Sequence, residues 1–304
     1  MKRILSAGLG LFLVALAARG QTSDIQKNVE VQLKLARAQK DAIAYLQKLQ
    51  QKDGGFAPDA ATSKSSVSAT NAAVRALKYM NGNIPNPSAC IDFVKSCFDK
   101  ASGGFADEPS GKVTVNTTAV GVLAAVELGV TRDLYEAGAV KYLGDNVKTF
   151  EDVRIAAAAF EALGKPPDQT DAWLQQIAKL RNDDGTYGKG DGMARDTGSA
   201  VAAVLRLGGK VEHADAAVKA MQDGQRADGG FGPADSSASD LPSTYRILRS
   251  LHMLKAGPAD AGRLVAFMDS CRNDDGGYGV AKGKPSSAAG TYYVAIITHW
   301  LNEK

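Results

Sequence analysis

One short mark recurs along the chain and limits what it can fold into: a glycine, usually a pair, followed at once by an aromatic residue. It is written Gly54-Gly55-Phe56, Gly103-Gly104-Phe105, Gly185-Thr186-Tyr187, Gly229-Gly230-Phe231 and Gly276-Gly277-Tyr278. Successive first glycines stand 49, 82, 44 and 47 residues apart. A fixed period of this size is the signature of a repeat architecture. The 82-residue step is nearly two periods, so a unit that has lost the mark is expected inside it. Residues 131–165 supply one, with two helical runs and Phe150 near the missing aromatic slot. The count is then six units.

Each unit obeys one grammar. Before the mark runs an amphipathic stretch such as DAIAYLQKLQQK or GRLVAFMDSCRN, with apolar residues three and four apart, as on one face of a helix. After it comes a loop rich in Ser, Pro and Asp. A second, more apolar helix follows, such as SATNAAVRALKYM, PSTYRILRSLHML or AGTYYVAIITHWL. A Ser, Thr or Asp near its start is a ready N-cap. The many Ala and Gly of the second helices permit close approach on both sides, which predicts an inner layer of second helices and an outer layer of first ones. The glycines are read as the residues that stop the first helix, because glycine tolerates the positive φ of a helix C-cap. The aromatic after them is read as a peg between neighbouring hairpins.

The first twenty residues have a basic start (Lys2, Arg3), an apolar run from Ile4 to Ala18 and small residues leading to Gly20. That is the layout of a cleaved export signal, and the run is short for a bilayer-spanning helix. Residues 1–20 are therefore expected to be a signal peptide, and residues 21–304 a single exported domain, periplasmic or extracellular, without a membrane span. The signal holds Lys2, Arg3 and Arg19, so the basic residues beyond it fall from 36 to 33, against 33 acidic ones. A neutral chain without a basic stripe predicts no nucleic-acid partner. Cys90 and Cys97 lie seven apart on one expected helix, a rise of about 10 Å, too far for a disulfide. Small buried thiols are expected there and at Cys271.

The mark, followed by Ser or Thr and an Ala/Leu-rich helix, resembles the prenyltransferase and squalene-cyclase repeat. The resemblance spans Asp24 to the C-terminus, and units five and six are most similar to the β subunit of Rab geranylgeranyltransferase. It implies an all-α fold, an (α/α)6 toroid of six helical hairpins around a central cavity, with an open helical solenoid as the structural alternative. For a protein prenyltransferase it also implies zinc, which holds an acceptor thiol as its thiolate. The family's Asp-x-Cys and His ligands fall, counted from the glycines, on Asp240, Pro242 and Gly290. Two of the three are lost, so no cofactor is expected. The family's basic diphosphate pocket is not evident either, since Arg154, Arg195 and Arg246 are scattered in sequence. A cyclase acid of the Asp-x-Asp-Asp type is absent, and Asn182-Asp183-Asp184 and Asn273-Asp274-Asp275 read as turns.

Candidate cavity residues are Asp240, Tyr245, Tyr292, Arg154, Thr244 and Thr291. Each has a plainer reading beside it. Asp240 can cap a helix, and Thr118, Thr244 and Thr291, fifteen residues after their glycines, suit a first helical turn as well as a cavity mouth. His252 and His299 occupy equivalent positions and could pair on a metal or simply answer a helix C-terminus. Two functions remain open: a non-catalytic toroid binding an isoprenoid, a lipid or a peptide segment, or a divergent prenyltransferase-like enzyme using the same cavity.

Overall fold

The computed structural model describes residues 34–303, so the expected signal over residues 1–20 lies outside the described residues. Six helices form an outer layer: α1 (34–48), α3 (Pro87–Ser96), α5 (Glu136–Asn146), α7 (Thr170–Ala178), α9 (Ala214–Asp223) and α11 (Ala261–Ser270). Six form the inner layer: α2 (Val67–Tyr79), α4 (Val115–Glu127), α6 (Phe150–Leu163), α8 (Met193–Arg206), α10 (Leu241–Met253) and α12 (Ala288–Asn302). Each inner helix packs on the next, and α12 packs back on α2. The ring closes, which rules out the open solenoid. Among the described residues no helix is long and apolar enough to cross a membrane.

The inner helices start where their caps dictate. Side chains of Ser66, Thr114, Thr149, Asp240 and Ser287 each accept a backbone N–H from the first turn of α2, α4, α6, α10 and α12. Only α8 begins without such a bond, after a single 3-10 turn at Gly190–Gly192. Five of the inner helices, α2, α4, α6, α8 and α10, also end on left-handed residues, at Asn81, Gly129, Gly164, Gly208 and Lys255.

The recurrent glycines do something other than cap. The outer helices α3, α7, α9 and α11 end on right-handed residues, Cys97, Lys179, Gly224 and Cys271, five or more residues before the mark. Gly54, Gly103, Gly185, Gly229 and Gly276 all have positive φ, but they lie in the turn beyond. There each one abuts the next unit. A Cβ on Gly229 would lie 2.1 Å from the Arg263 carbonyl oxygen of α11, and one on Gly54 would lie 2.2 Å from Ala89 of α3. Gly276 meets Asp41 of α1 in the same way, so the mark of unit six closes the ring against unit one. The aspartate before the pair clamps the turn. Oδ1 of Asp53, Asp228 and Asp275 accepts from the second glycine's N–H at 3.0 Å and from a loop serine hydroxyl at 2.7 Å.

The aromatic residues of the mark are pegs: Phe56, Phe105, Tyr187, Phe231 and Tyr278 are all buried. In unit three, only residues 147–149 separate α5 from α6. Phe150 is the half-buried first residue of α6 and fills no equivalent slot. The apolar core runs across the seam, joining Tyr45 and Leu46 of α1 and Leu77 of α2 to Phe267 of α11 and Ile296 of α12. Cys90, Cys97 and Cys271 are buried free thiols, and burial pushes them up to about 12, 12 and 11 respectively.

Candidate functional site

A cavity of about 570 Å3 occupies the centre of the ring. Its register is set from behind, by the pegs. The backbone N–H of Phe56, Phe105, Tyr187, Phe231 and Tyr278 donates to the hydroxyl of Thr70, Thr118, Thr197, Thr244 and Thr291 at 2.9–3.1 Å. These threonines are buried on the side of the inner helix that meets the peg. Some of the positions one, five and nine residues beyond the threonine then face the hole. On α2 they are Asn71, Arg75 and Tyr79; on α10 the first two are Tyr245 and Arg249.

Three of the sequence candidates meet in the cavity wall: Tyr245, Tyr292 and Arg154. The other three do not line it. Asp240 caps α10, its carboxylate accepting the Ser243 N–H at 2.6 Å. Thr244 and Thr291 are 0% and 1% exposed; besides taking the peg's N–H, they donate to the carbonyls of Asp240 (2.7 Å) and Ser287 (2.9 Å). Their place is structural, because a hydroxyl that holds a peg points away from the hole.

The expectation of a dispersed set of arginines is also corrected. Arg154 and Arg246 converge in the cavity with Arg75, Arg206 and Arg249, three residues that the sequence reading missed. Arg195 stays outside this group. The missed signal was the register: Arg75 and Arg249 each stand five residues after the buried threonine of their unit. Glu151 accepts from Arg246 at 2.9 and 3.2 Å and from Arg154 at 3.0 Å. Burial works against its charge, but the two guanidiniums outweigh it and hold the carboxyl below its usual range. Arg206 pairs with Glu161 at 2.9 Å. Arg75 and Arg249 have no carboxylate partner among the described residues. Instead Arg75 lies 5.2 Å above the Tyr292 ring and Arg249 lies 4.8 Å above Trp300, each in cation–π attraction.

The wall has two characters. The side built by α2, α10 and α12 is cationic and aromatic, and Tyr245 packs there 5.2–5.8 Å from Tyr292, Tyr293 and Trp300. The side built by α4 and α6 is mixed: Val120, Leu123, Val126, Ile155 and Ala158 give it aliphatic surface, beside Asn116, Glu127, Arg154 and Glu161. Three cavity-lining polar atoms are buried without a hydrogen-bond partner: Asn71 Oδ1, Arg249 Nε and Tyr292 OH. An unpaired buried polar atom costs about 1–3 kcal/mol, so this wall carries a stability cost that the scaffold bears.

Zinc does not fit here. Asp240 is engaged as a cap, Pro242 has no ligating side chain, and Gly290 has no room for a side chain. A Cβ there would lie 2.2 Å from the Tyr278 carbonyl oxygen. Among the described residues no group of three or more His, Cys, Asp or Glu is placed to hold a metal ion. His252 and His299, in the last turns of α10 and α12, both reach Glu303, at 3.3 and 2.7 Å. His299 lies against Tyr79 and His252 against Trp300.

The pattern of the prenyltransferase alpha-alpha toroid domain matches residues 23–152 and 154–303. The chain belongs to this family. No curated protein matches it in sequence. Among solved structures, the toroid is similar to Candida albicans protein geranylgeranyltransferase-I complexed with GGPP, with a TM-score of 0.62 at 11% identity, over 78% of this chain and 84% of that one. It is similar to a type II terpene cyclase from Scytonema in complex with merosterolic acid A, with a TM-score of 0.58 at 12% identity, over 88% and 96%. It is also similar to a glycosidase in complex with glucose, with a TM-score of 0.61 at 13% identity, over 88% and 97%. At such identities the likeness is one of fold, and function rests on the cavity itself.

Proposed function

We propose that the protein is an exported, non-catalytic binding toroid that holds an amphipathic anion, of isoprenoid or lipid type, in its central cavity. The observation that carries this reading is a wall of two characters: five arginines and the aromatics of α2, α10 and α12 share the cavity with the aliphatic side, Val120, Leu123, Val126, Ile155 and Ala158 of α4 and α6. A ligand that answers both sides has an acidic head and an apolar body. A peptide segment answers them less well, because its backbone donors and acceptors would lie against the aliphatic side unpaired. Export rests on the pattern of residues 1–20.

Equilibrium binding to geranylgeranyl diphosphate, geranylgeraniol and inorganic diphosphate tests the reading. Losing two charge-assisted hydrogen bonds at about 1.5–3 kcal/mol each makes geranylgeraniol weaker by about two to four orders of magnitude. Losing the tail also weakens binding, by about 0.8 kcal/mol per buried methylene. Equal affinity for the diphosphate and the alcohol would refute the anionic head. A divergent enzyme is the second reading, favoured by the single phenol, Tyr245, drawn down by surrounding cations. It predicts turnover of geranylgeranyl diphosphate, whereas the binding reading predicts recovery of the ligand unchanged, with or without added zinc and a cysteine peptide.

A further inference from the structure

Charge inside the ring does not balance. Arg154 and Arg246 share one carboxylate, Glu151, and Arg206 has Glu161. Arg75 and Arg249 have no carboxylate partner among the described residues, and lie over the π faces of Tyr292 and Trp300. The side chain that stands beside both of these platforms is Tyr245, its ring 5.8 Å from Tyr292 and 5.6 Å from Trp300. The titratable groups that share the cavity with it come from every inner helix: Arg75 and Tyr79 of α2, Glu127 of α4, Arg154 and Glu161 of α6, Arg206 of α8, Arg246 and Arg249 of α10, and Tyr292 and Tyr293 of α12. Helix α9, on the outer side of α10, contributes none. Glu127 is engaged by Lys78. Two cations without a carboxylate, Arg75 and Arg249, therefore share the cavity with this phenol.

We propose that Tyr245 is the resident counter-anion of Arg75 and Arg249, and that an acidic head group entering the cavity takes its place, with one proton from water returned to the Tyr245 oxygen. The inference rests on the reading that the cavity binds an anion. Burial alone would hold the Tyr245 phenol up; Arg249, Arg206 and Arg75 together draw it below the ordinary range. Its neighbour Tyr292 goes the other way, pushed up by burial and by Tyr245. The phenolate balances the empty cavity without a fixed carboxylate, which would repel a ligand permanently. Protonation discharges it when the ligand arrives.

Anion binding and ionisation of Tyr245 are then antagonists. Affinity falls about tenfold per pH unit across the window between the titration of Tyr245 in the empty and in the filled cavity, as one linked proton requires. The experiment is an ultraviolet titration of the tyrosinate band of the purified protein, alone and with inorganic diphosphate. Seven of the other eight tyrosines, Tyr45 and Tyr278 among them, are pushed up chiefly by burial. One equivalent of tyrosinate at about pH 8, below the ordinary phenol value of ~10, therefore has a clean background. It is expected to vanish in Tyr245→Phe and to persist in Tyr292→Phe. Saturating diphosphate is expected to abolish it, with uptake of one proton in weak buffer. Tyr245→Phe should bind diphosphate at least tenfold more tightly at about pH 9 than the unaltered chain, its remaining pH dependence being that of the ligand's own last ionisation. A merely structural tyrosine would not give that gain. Arg249→Gln, which keeps the phenol, should shift the band to higher pH.

Absence of tyrosinate below about pH 9 would overturn the proposal, as would a band that follows Tyr292. So would a band that survives millimolar diphosphate, whether or not the diphosphate binds. If diphosphate discharges the band but geranylgeranyl diphosphate binds no better than diphosphate, the amphipathic reading falls and the counter-anion stands.

Discussion

Thr244→Val separates scaffold from site. Threonine and valine have nearly the same shape, so the change leaves packing intact and deletes one hydroxyl. That hydroxyl accepts the N–H of Phe231 at 3.1 Å and donates to the Asp240 carbonyl at 2.7 Å. The carbonyl keeps a partner, because it also accepts the Thr244 backbone N–H at 3.1 Å. The Phe231 N–H keeps none, and both residues are 0% exposed. The cost is that of one orphaned buried donor, about 1–3 kcal/mol. At 2–4 °C per kcal/mol, the lower end applying to a chain of this size, the midpoint should fall by roughly 2–6 °C. Thermal unfolding followed by circular dichroism measures this, and ligand binding is measured on the same sample at a temperature where both proteins are folded. Affinity for geranylgeranyl diphosphate should stay within a factor of two or three. A variant with unchanged stability and lost binding would refute the placement of the threonines behind the wall and restore them to the cavity.

Three further expectations test the ring and its charges. Gly276→Ala places a Cβ 2.8 Å from Asp41 at a φ of 88°, so it should destabilise by well over the ~1–3 kcal/mol of left-handed strain alone. Gly208→Ala, also at positive φ but with nothing within 4 Å, should cost only that strain, and chemical denaturation compares the two. Glu151 has a depressed carboxyl, so its contribution is present above the unfolded carboxylate range of ~4.3 and is lost as pH falls through its folded value. Its side chain is 54% exposed, which limits the stabilisation to under about 1 kcal/mol. Glu151→Gln should therefore barely change stability at neutral pH, flatten the acid limb below about pH 4, and strengthen anion binding by freeing Arg154 and Arg246. Deleting residues 213–258 removes α9 and α10 and parts α8 from α12; cooperative unfolding should disappear, and a shortened, still cooperative protein would contradict closure.

The ring was legible in the sequence because its joints use residues with few alternatives. Gly54, Gly229 and Gly276 must combine positive φ with backbone approach that no side chain allows, and the aromatic behind each must be large. Such positions repeat, so counting finds them. Their local job was less legible. A glycine after an amphipathic run reads as a helix cap, whereas the close approach that fixes Gly229 comes from Arg263, in the next unit. The same limit applied to unit three, where residues 147–149 replace the whole loop and Phe150 has no slot to fill.

The cavity was only half legible, for a different reason. Tyr245 and Tyr292 were found because they adjoin the repeated threonines, and Arg75 and Arg249 were missed although the same threonines locate them. The threonine fixes the rotation of each inner helix about its own axis, since its hydroxyl must meet the peg. Once that rotation is fixed, the positions one, five and nine residues on are the ones that can turn toward the hole, and on α2 all three do. That is why Asn71, Arg75 and Tyr79 on α2 share the hole with Thr118's successor Leu123 on α4. The peg, the glycines and the threonine hold the backbone without help from the cavity. A unit can therefore exchange an aliphatic residue for an arginine at the inward positions at little cost to the ring. What the exchange does cost is charge balance inside the hole, and in this chain Tyr245 is the side chain placed to restore it.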